Sequence, residues 1–76
     1  MNAKRRKEIE KCIDQLQEIW SKLQDLADEE QECYDNLPEG LQESERGEAM
    51  QDAATALEEA ADELTTIGDN LSEIIA

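Results

Sequence analysis

Cys12 and Cys33 are the only thiols in a chain that holds 21 carboxylates and no histidine. A thiol can ligate a metal, attack as a nucleophile or form a disulfide, and each role needs a second group within reach. Without histidine, the commonest transition-metal ligand and the usual general base near neutral pH are both missing. Two cysteines alone do not complete a metal site. On one helix they would stand 21 residues apart, about 31 Å, whereas a disulfide needs Cα atoms within roughly 7 Å. They read as buried, reduced thiols acting as small hydrophobes, with disulfides between subunits as the alternative. Calcium is the other ion that carboxylates suit. Placing Asp35 at the first position of an EF-hand loop brings Gly40 to the sixth, where the turn needs glycine, but puts Leu37 at the third. Arg46 then falls at the twelfth, where a bidentate glutamate is required, so the pattern fails. The hydroxyls of Ser21, Ser44, Thr55, Thr65, Thr66 and Ser72 have no activating base, and no glycine-rich phosphate loop is present. Paired carboxylates need a cleft to perturb them, which a slim helical chain does not offer. The residues thus describe a non-enzyme with no cofactor, metal or small-molecule ligand.

What the charges can do is bind. Lys4, Arg5, Arg6, Lys7 and Lys11 outnumber two acids in the first eleven residues, a net charge of +3. Residues 12–76 set 19 acids against Lys22 and Arg46 alone, a net charge of −17. A surface of this sign repels nucleic acid and anionic membrane and attracts basic surfaces of other macromolecules. The basic start reads as a solvated, charge-balanced helix end: Lys4 with Glu8 and Arg6 with Glu10 have helix spacing, and Asp69 and Glu73 come alongside if the chain folds back. No apolar run reaches the roughly 20 residues of a membrane span, and no signal-peptide core follows the basic start, which suits a cytoplasmic protein.

Periodicity supplies the elements that position these groups. Ile9, Ile13, Leu16, Trp20, Leu23, Ala27, Tyr34 and Leu37 recur in steps of four and three, with Glu30 the one misfit. Met50, Ala53, Leu57, Ala60, Leu64, Ile67, Leu71 and Ile74 repeat the pattern without a break. Between the stripes lies Asn36-Leu37-Pro38-Glu39-Gly40-Leu41, where Pro38 disfavours helix at Leu37 and Gly40 can take positive φ. Ser44 is the expected N-cap of the second helix, with Glu45 and Glu48 favouring its positive end and Gly47 leaving the capping box incomplete. The expected fold is all-α: a single domain, residues 1–76, forming an antiparallel two-helix hairpin over about 3–36 and 44–75. A register in which paired positions sum to about 81 sets Trp20 against Ala60 and Ala61, Tyr34 against Gly47, and Ile13 against Ile67 and Gly68.

Each helix carries more apolar surface than a two-helix seam uses. Cys12, Ile19, Leu26 and Cys33 form a third row at heptad g of helix one, and Gly47, Ala54, Ala61, Gly68 and Ile75 form one at e of helix two. Self-association would bury them, and two hairpins make a four-helix bundle. The g row is nearly palindromic: antiparallel pairing about residue 22 sets Cys12 against Cys33 of a second copy, and Ile19 against Leu26. A homodimer is therefore expected, with Cys12, Ile19, Leu26 and Cys33 as its stripe.

The acids lie away from the seams. Asp14, Asp28 and Asp35 fall at b, Glu18, Asp25 and Glu32 at f, and Glu29 at c of helix one; on helix two, Glu58, Asp52, Glu59, Glu73, Glu48, Asp62 and Asp69 take the corresponding outer positions. Same-letter acids stand about 10.5 Å apart along a helix. The candidate acidic interaction surface is Asp25, Asp28, Glu29, Glu32, Asp35, Glu39, Glu43, Glu45 and Glu48, where only Arg46 answers them. Trp20 reads as a core anchor and Glu30 as a carboxylate reaching water or Arg46.

The segment Asp35-Asn36-Leu37-Pro38-Glu39-Gly40-Leu41-Gln42-Glu43-Ser44-Glu45-Arg46-Gly47, with the acidic Leu/Ala repeat after it, resembles short acidic helical-hairpin proteins of bacterial phages and mobile elements. That group has no assigned activity, so the resemblance implies an accessory protein and carries over no functional residue. In size and charge the chain is also similar to phage inhibitors that mimic nucleic acid. Two readings follow: an inhibitor that blocks a basic nucleic-acid-binding surface on a protein partner, or a structural or adaptor module whose apolar stripes pair with another helical protein.

Overall fold

The computed structural model describes all 76 residues, 89% of them helical and none in a strand. Helix α1 spans Ala3–Asp35, a single turn α2 spans Glu39–Gln42, and α3 spans Glu45–Ile75. The long elements begin and end within a residue of the positions read from periodicity.

Local chemistry explains each boundary. Asn2 holds extended backbone and its side chain accepts a hydrogen bond from the Arg5 amide at 2.8 Å, satisfying one of the orphan donors of α1. At the far end the Leu37 amide donates to the Tyr34 carbonyl at 3.1 Å, tightening the last turn before Pro38. Ser44 caps α3 as expected: its backbone is extended and its hydroxyl oxygen accepts from the Gly47 amide at 3.3 Å. Ser44→Ala is expected to cost about 1 kcal/mol, seen as a lower midpoint in urea with an unchanged slope.

The connection differs from the open turn anticipated between the stripes. Pro38 starts a helical turn, with φ −55° and ψ 145°, its carbonyl accepting from the Leu41 and Gln42 amides. Proline is preorganised for a helix start, where its missing N–H costs nothing. Gly40 accordingly sits inside this turn, and no glycine in the chain takes positive φ. Gln42 completes the corner by donating from Nε2 to the Tyr34 carbonyl at 3.2 Å and the Asp35 carbonyl at 3.5 Å, which caps the end of α1.

The chain measures 59 × 15 × 13 Å along its principal axes. One straight 76-residue helix would run about 114 Å, so α3 returns along α1. Residues 13–21 line a groove together with residues 64–72, and residues 26–30 line a second with residues 53–57. Trp20 shares a groove with Leu64, Thr65 and Gly68. Gly47 lies against the carbonyls of Leu41 and Gln42 rather than against Tyr34. Ile13 and Gly68 do meet in the same groove, as anticipated.

Only Ala27, Gly47, Ala54 and Ala61 are buried outright. Three of these belong to the e row of α3: Ala54 and Ala61 lie where the two long helices pack, and Gly47 is covered by α2, so this part of the row is not surplus for a partner. Turning the e row inward rotates the d row outward: Ile67 and Ile74 are 47% and 55% exposed, and do not lie in the seam where periodicity put them. Trp20, at 39% exposed, is a groove-lining residue rather than an enclosed anchor.

Candidate functional site: acidic faces and an exposed apolar row

Helix geometry puts the carboxylates on the outer rows, and the structure leaves them there. Asp25, Asp28, Glu29, Glu32, Asp35, Glu39, Glu43, Glu45 and Glu48 are all exposed. They run from the middle of α1, across α2, to the first turn of α3. Asp35 alone among them accepts a side-chain bond, from Gln31 Nε2 at 3.0 Å. Glu45 and Glu48 lie in the first turn of α3, where the helix dipole favours them.

Neutralisation within the chain is slight. The one ion pair joins Lys11 to Glu8 at 3.8 Å, with both side chains largely in water. The pairs that spacing allowed, Lys4 with Glu8 and Arg6 with Glu10, are not formed, and the basic start makes no bridge to Asp69 or Glu73. Arg46 clamps neither Glu30 nor Asp35, and Glu30 is half-buried beside Leu26 and Leu57 without a cation. An exposed bridge such as Lys11–Glu8 is worth at most about 1 kcal/mol. The field of the acidic surface therefore reaches solvent almost undiminished.

The second candidate surface is the g row of α1. Cys12, Ile19, Leu26 and Cys33 are all exposed, Ile19 and Leu26 at 46% and 47%. Burial of the thiols was expected from self-association, and within one chain both lie exposed on α1. Leu26 shares a groove with Ala53 and Ala56 of α3, so the g row and the outward d and g positions of α3 lie on one face. The opposite groove carries the more polar residues Gln17, Ser21, Thr65, Asp69 and Ser72 beside Trp20.

No three acids or thiols come together in a way that could hold a metal ion, and no helix is long and apolar enough to cross a membrane. Compared with protein-family models, curated proteins and solved structures, the chain matches none. Charge and exposed apolar surface are thus the properties from which function must be argued.

The outward turn of Ile67 and Ile74 and the capping role of Gln42 were missed in the sequence. A signal for the first was present: glycine or alanine at 47, 54 and 61, every seventh residue, marks positions with small side chains where a neighbouring element can come close. Nothing local marks Gln42, whose bonds reach back eight and seven residues.

Proposed function

We propose that this chain is a non-enzymatic interaction protein, an accessory product of a phage or mobile element, that blocks a basic nucleic-acid-binding surface on a protein partner by charge mimicry. It does so as a rigid helical hairpin, paired with a second copy in a four-helix bundle. The observation that carries this reading is the uncompensated acidic surface: nine exposed carboxylates from Asp25 to Glu48 with Arg46 as the only base among them, and no bridge formed. Rows of carboxylates about 10.5 Å apart on a stiff support present negative charge without the flexibility that would weaken binding. A basic groove evolved for a phosphate backbone offers the complementary field.

The test is capture from a host lysate, comparing wild type with a variant in which the nine acids become Asn or Gln. A mimic captures a protein that the neutralised variant loses and that duplex DNA or RNA displaces. Its affinity falls by at least about tenfold, roughly 1.4 kcal/mol, between low and high ionic strength. Capture indifferent to salt, to competing nucleic acid and to neutralisation would exclude mimicry.

The exposed Ile19, Leu26, Ile67 and Ile74 favour a second reading, an adaptor that pairs with another helical protein. Its capture would survive salt and neutralisation and be lost with Ile19→Asp and Leu26→Asp.

A further inference from the structure

The reading above, in which two copies pair, leaves their arrangement open. We infer that the exposed g face of α1 docks on the same face of a second copy in antiparallel orientation. Cys12 of each then lies against Cys33 of the other, and the basic tip of each points toward the acidic turn of its partner.

Three observations on the surface converge on this occupant. The first is size symmetry. Cys12, Ile19, Leu26 and Cys33 lie at seven-residue spacing on one exposed line, and a two-fold axis between residues 22 and 23 of α1 maps each thiol onto the other and each aliphatic chain onto the other. An isologous contact requires that kind of self-complementarity. Ile67 and Ile74 extend the apolar surface on the α3 side, interrupted by Glu63.

The second is charge. Two chains of net charge −14 repel unless their positive parts are used. Along α1 the same axis carries residues 4–7, Lys-Arg-Arg-Lys, just past the end of the second copy's α1 at Asp35, toward the acidic turn that holds Glu39 and Glu43. These four bases make no ion pair within their own chain. A parallel arrangement would instead set base on base and acidic turn on acidic turn, which costs stability.

The third is area. The whole side of the molecule, 59 by 15 Å, projects on the order of 900 Å², an upper bound that leaves room for the roughly 800 Å² per partner of a standard stable interface. The outer b and f rows, with Asp25, Asp28, Glu32, Asp35 and Glu48, remain uncovered as the acidic surface of the dimer, while Glu29, Glu39, Glu43 and Glu45 lie at or beside the contact.

Cysteine cross-linking reads the orientation directly. A mild azo oxidant such as diamide takes two electrons and two protons from a pair of thiols, forming one disulfide and the corresponding hydrazine. Wild type is expected to form a covalent dimer of twice 8.6 kDa on a non-reducing gel. Cys12→Ser alone and Cys33→Ser alone are expected to stay monomeric on that gel, because like thiols of the two copies would lie about 31 Å apart along the axis. An equimolar mixture of the two variants is expected to form the cross-linked heterodimer. Self-cross-linking of either single variant would overturn the antiparallel arrangement. A mass near 8.6 kDa by light scattering of the reduced protein at high micromolar concentration would overturn the interface itself.

Ile19→Asp with Leu26→Asp supplies a check independent of thiols, since both side chains are exposed and helicity should survive while the dimer mass halves. A monomeric double variant that still captures a salt-sensitive partner would leave charge mimicry standing. Loss of mimicry with the cross-links intact would leave the interface standing.

Discussion

Ala61→Asp is expected to abolish the cooperative helical melting of this chain, leaving a far-ultraviolet circular dichroism spectrum of largely unfolded protein at 25 °C. Ala61 is fully enclosed, at 0% exposure, and Ala54 and Ala27 at 2% and 1% are the other buried apolar side chains. The fold depends on these small residues because they let α1 and α3 approach closely enough for half-covered Ile and Leu side chains on either side to shed water. A carboxylate at Ala61 would stand in a fully enclosed position between the helices. Enclosing it unpaired, or prising the helices apart to hydrate it, costs several kcal/mol. A 76-residue chain has about 4–11 kcal/mol of stability in total, and one with so few buried residues sits toward the lower end. Thr55→Asp adds the same charge at an exposed position and is expected to stay within about 0.5 kcal/mol of wild type. Equal melting curves for the two variants would mean that the seam does not run through Ala61.

The contrast between those positions shows what one-dimensional pattern conveys. Ala61 and Ile67 are both apolar and both belong to heptad rows, and periodicity alone ranks the isoleucine as the better core residue. Folding reverses the order, with Ala61 at 0% and Ile67 at 47% exposure. Two helices that touch along one side are drawn together where backbones can come nearest, so glycine and alanine win the centre and bulkier residues flank it. Helix extent was legible because the stripes are long, Ser44 is a strong cap signal and Pro38 disfavours helix at Leu37. The rotation of each helix about its axis was not, since it depends on the other helix. The acidic surface was legible for the same reason as the helices: outer heptad positions stay outside under any modest rotation. The g row of α1 was legible as surplus, and Ile19 and Leu26 stay about half exposed in the fold.

The three glycines should respond to alanine with opposite signs, and the sign follows from what a methyl group would meet. All three sit in helical segments without positive φ, so no backbone strain opposes the change. Alanine in a helix interior then favours folding by about 0.8–1.0 kcal/mol over glycine. At Gly68, in the middle of α3, a methyl group meets nothing within 4 Å, so Gly68→Ala is expected to stabilise by about 0.5–1 kcal/mol. Gly40 is equally open and should gain a smaller amount, because α2 is a single turn. At Gly47 the methyl would stand 2.7 Å from the Leu41 carbonyl oxygen and nearer still to that of Gln42. Those are backbone atoms, and they cannot yield without disturbing the turn in which Ser44 caps α3 and Gln42 holds the end of α1. Overpacking of this kind costs about 1–3 kcal/mol, occasionally more, and here it also threatens a cap worth about 1 kcal/mol. The propensity gain offsets only part of that, so Gly47→Ala is expected to destabilise by about 2 kcal/mol net. Urea titrations of the three variants side by side check the point: a Gly47→Ala midpoint at or above that of Gly68→Ala would show that the corner between α2 and α3 can open without loss.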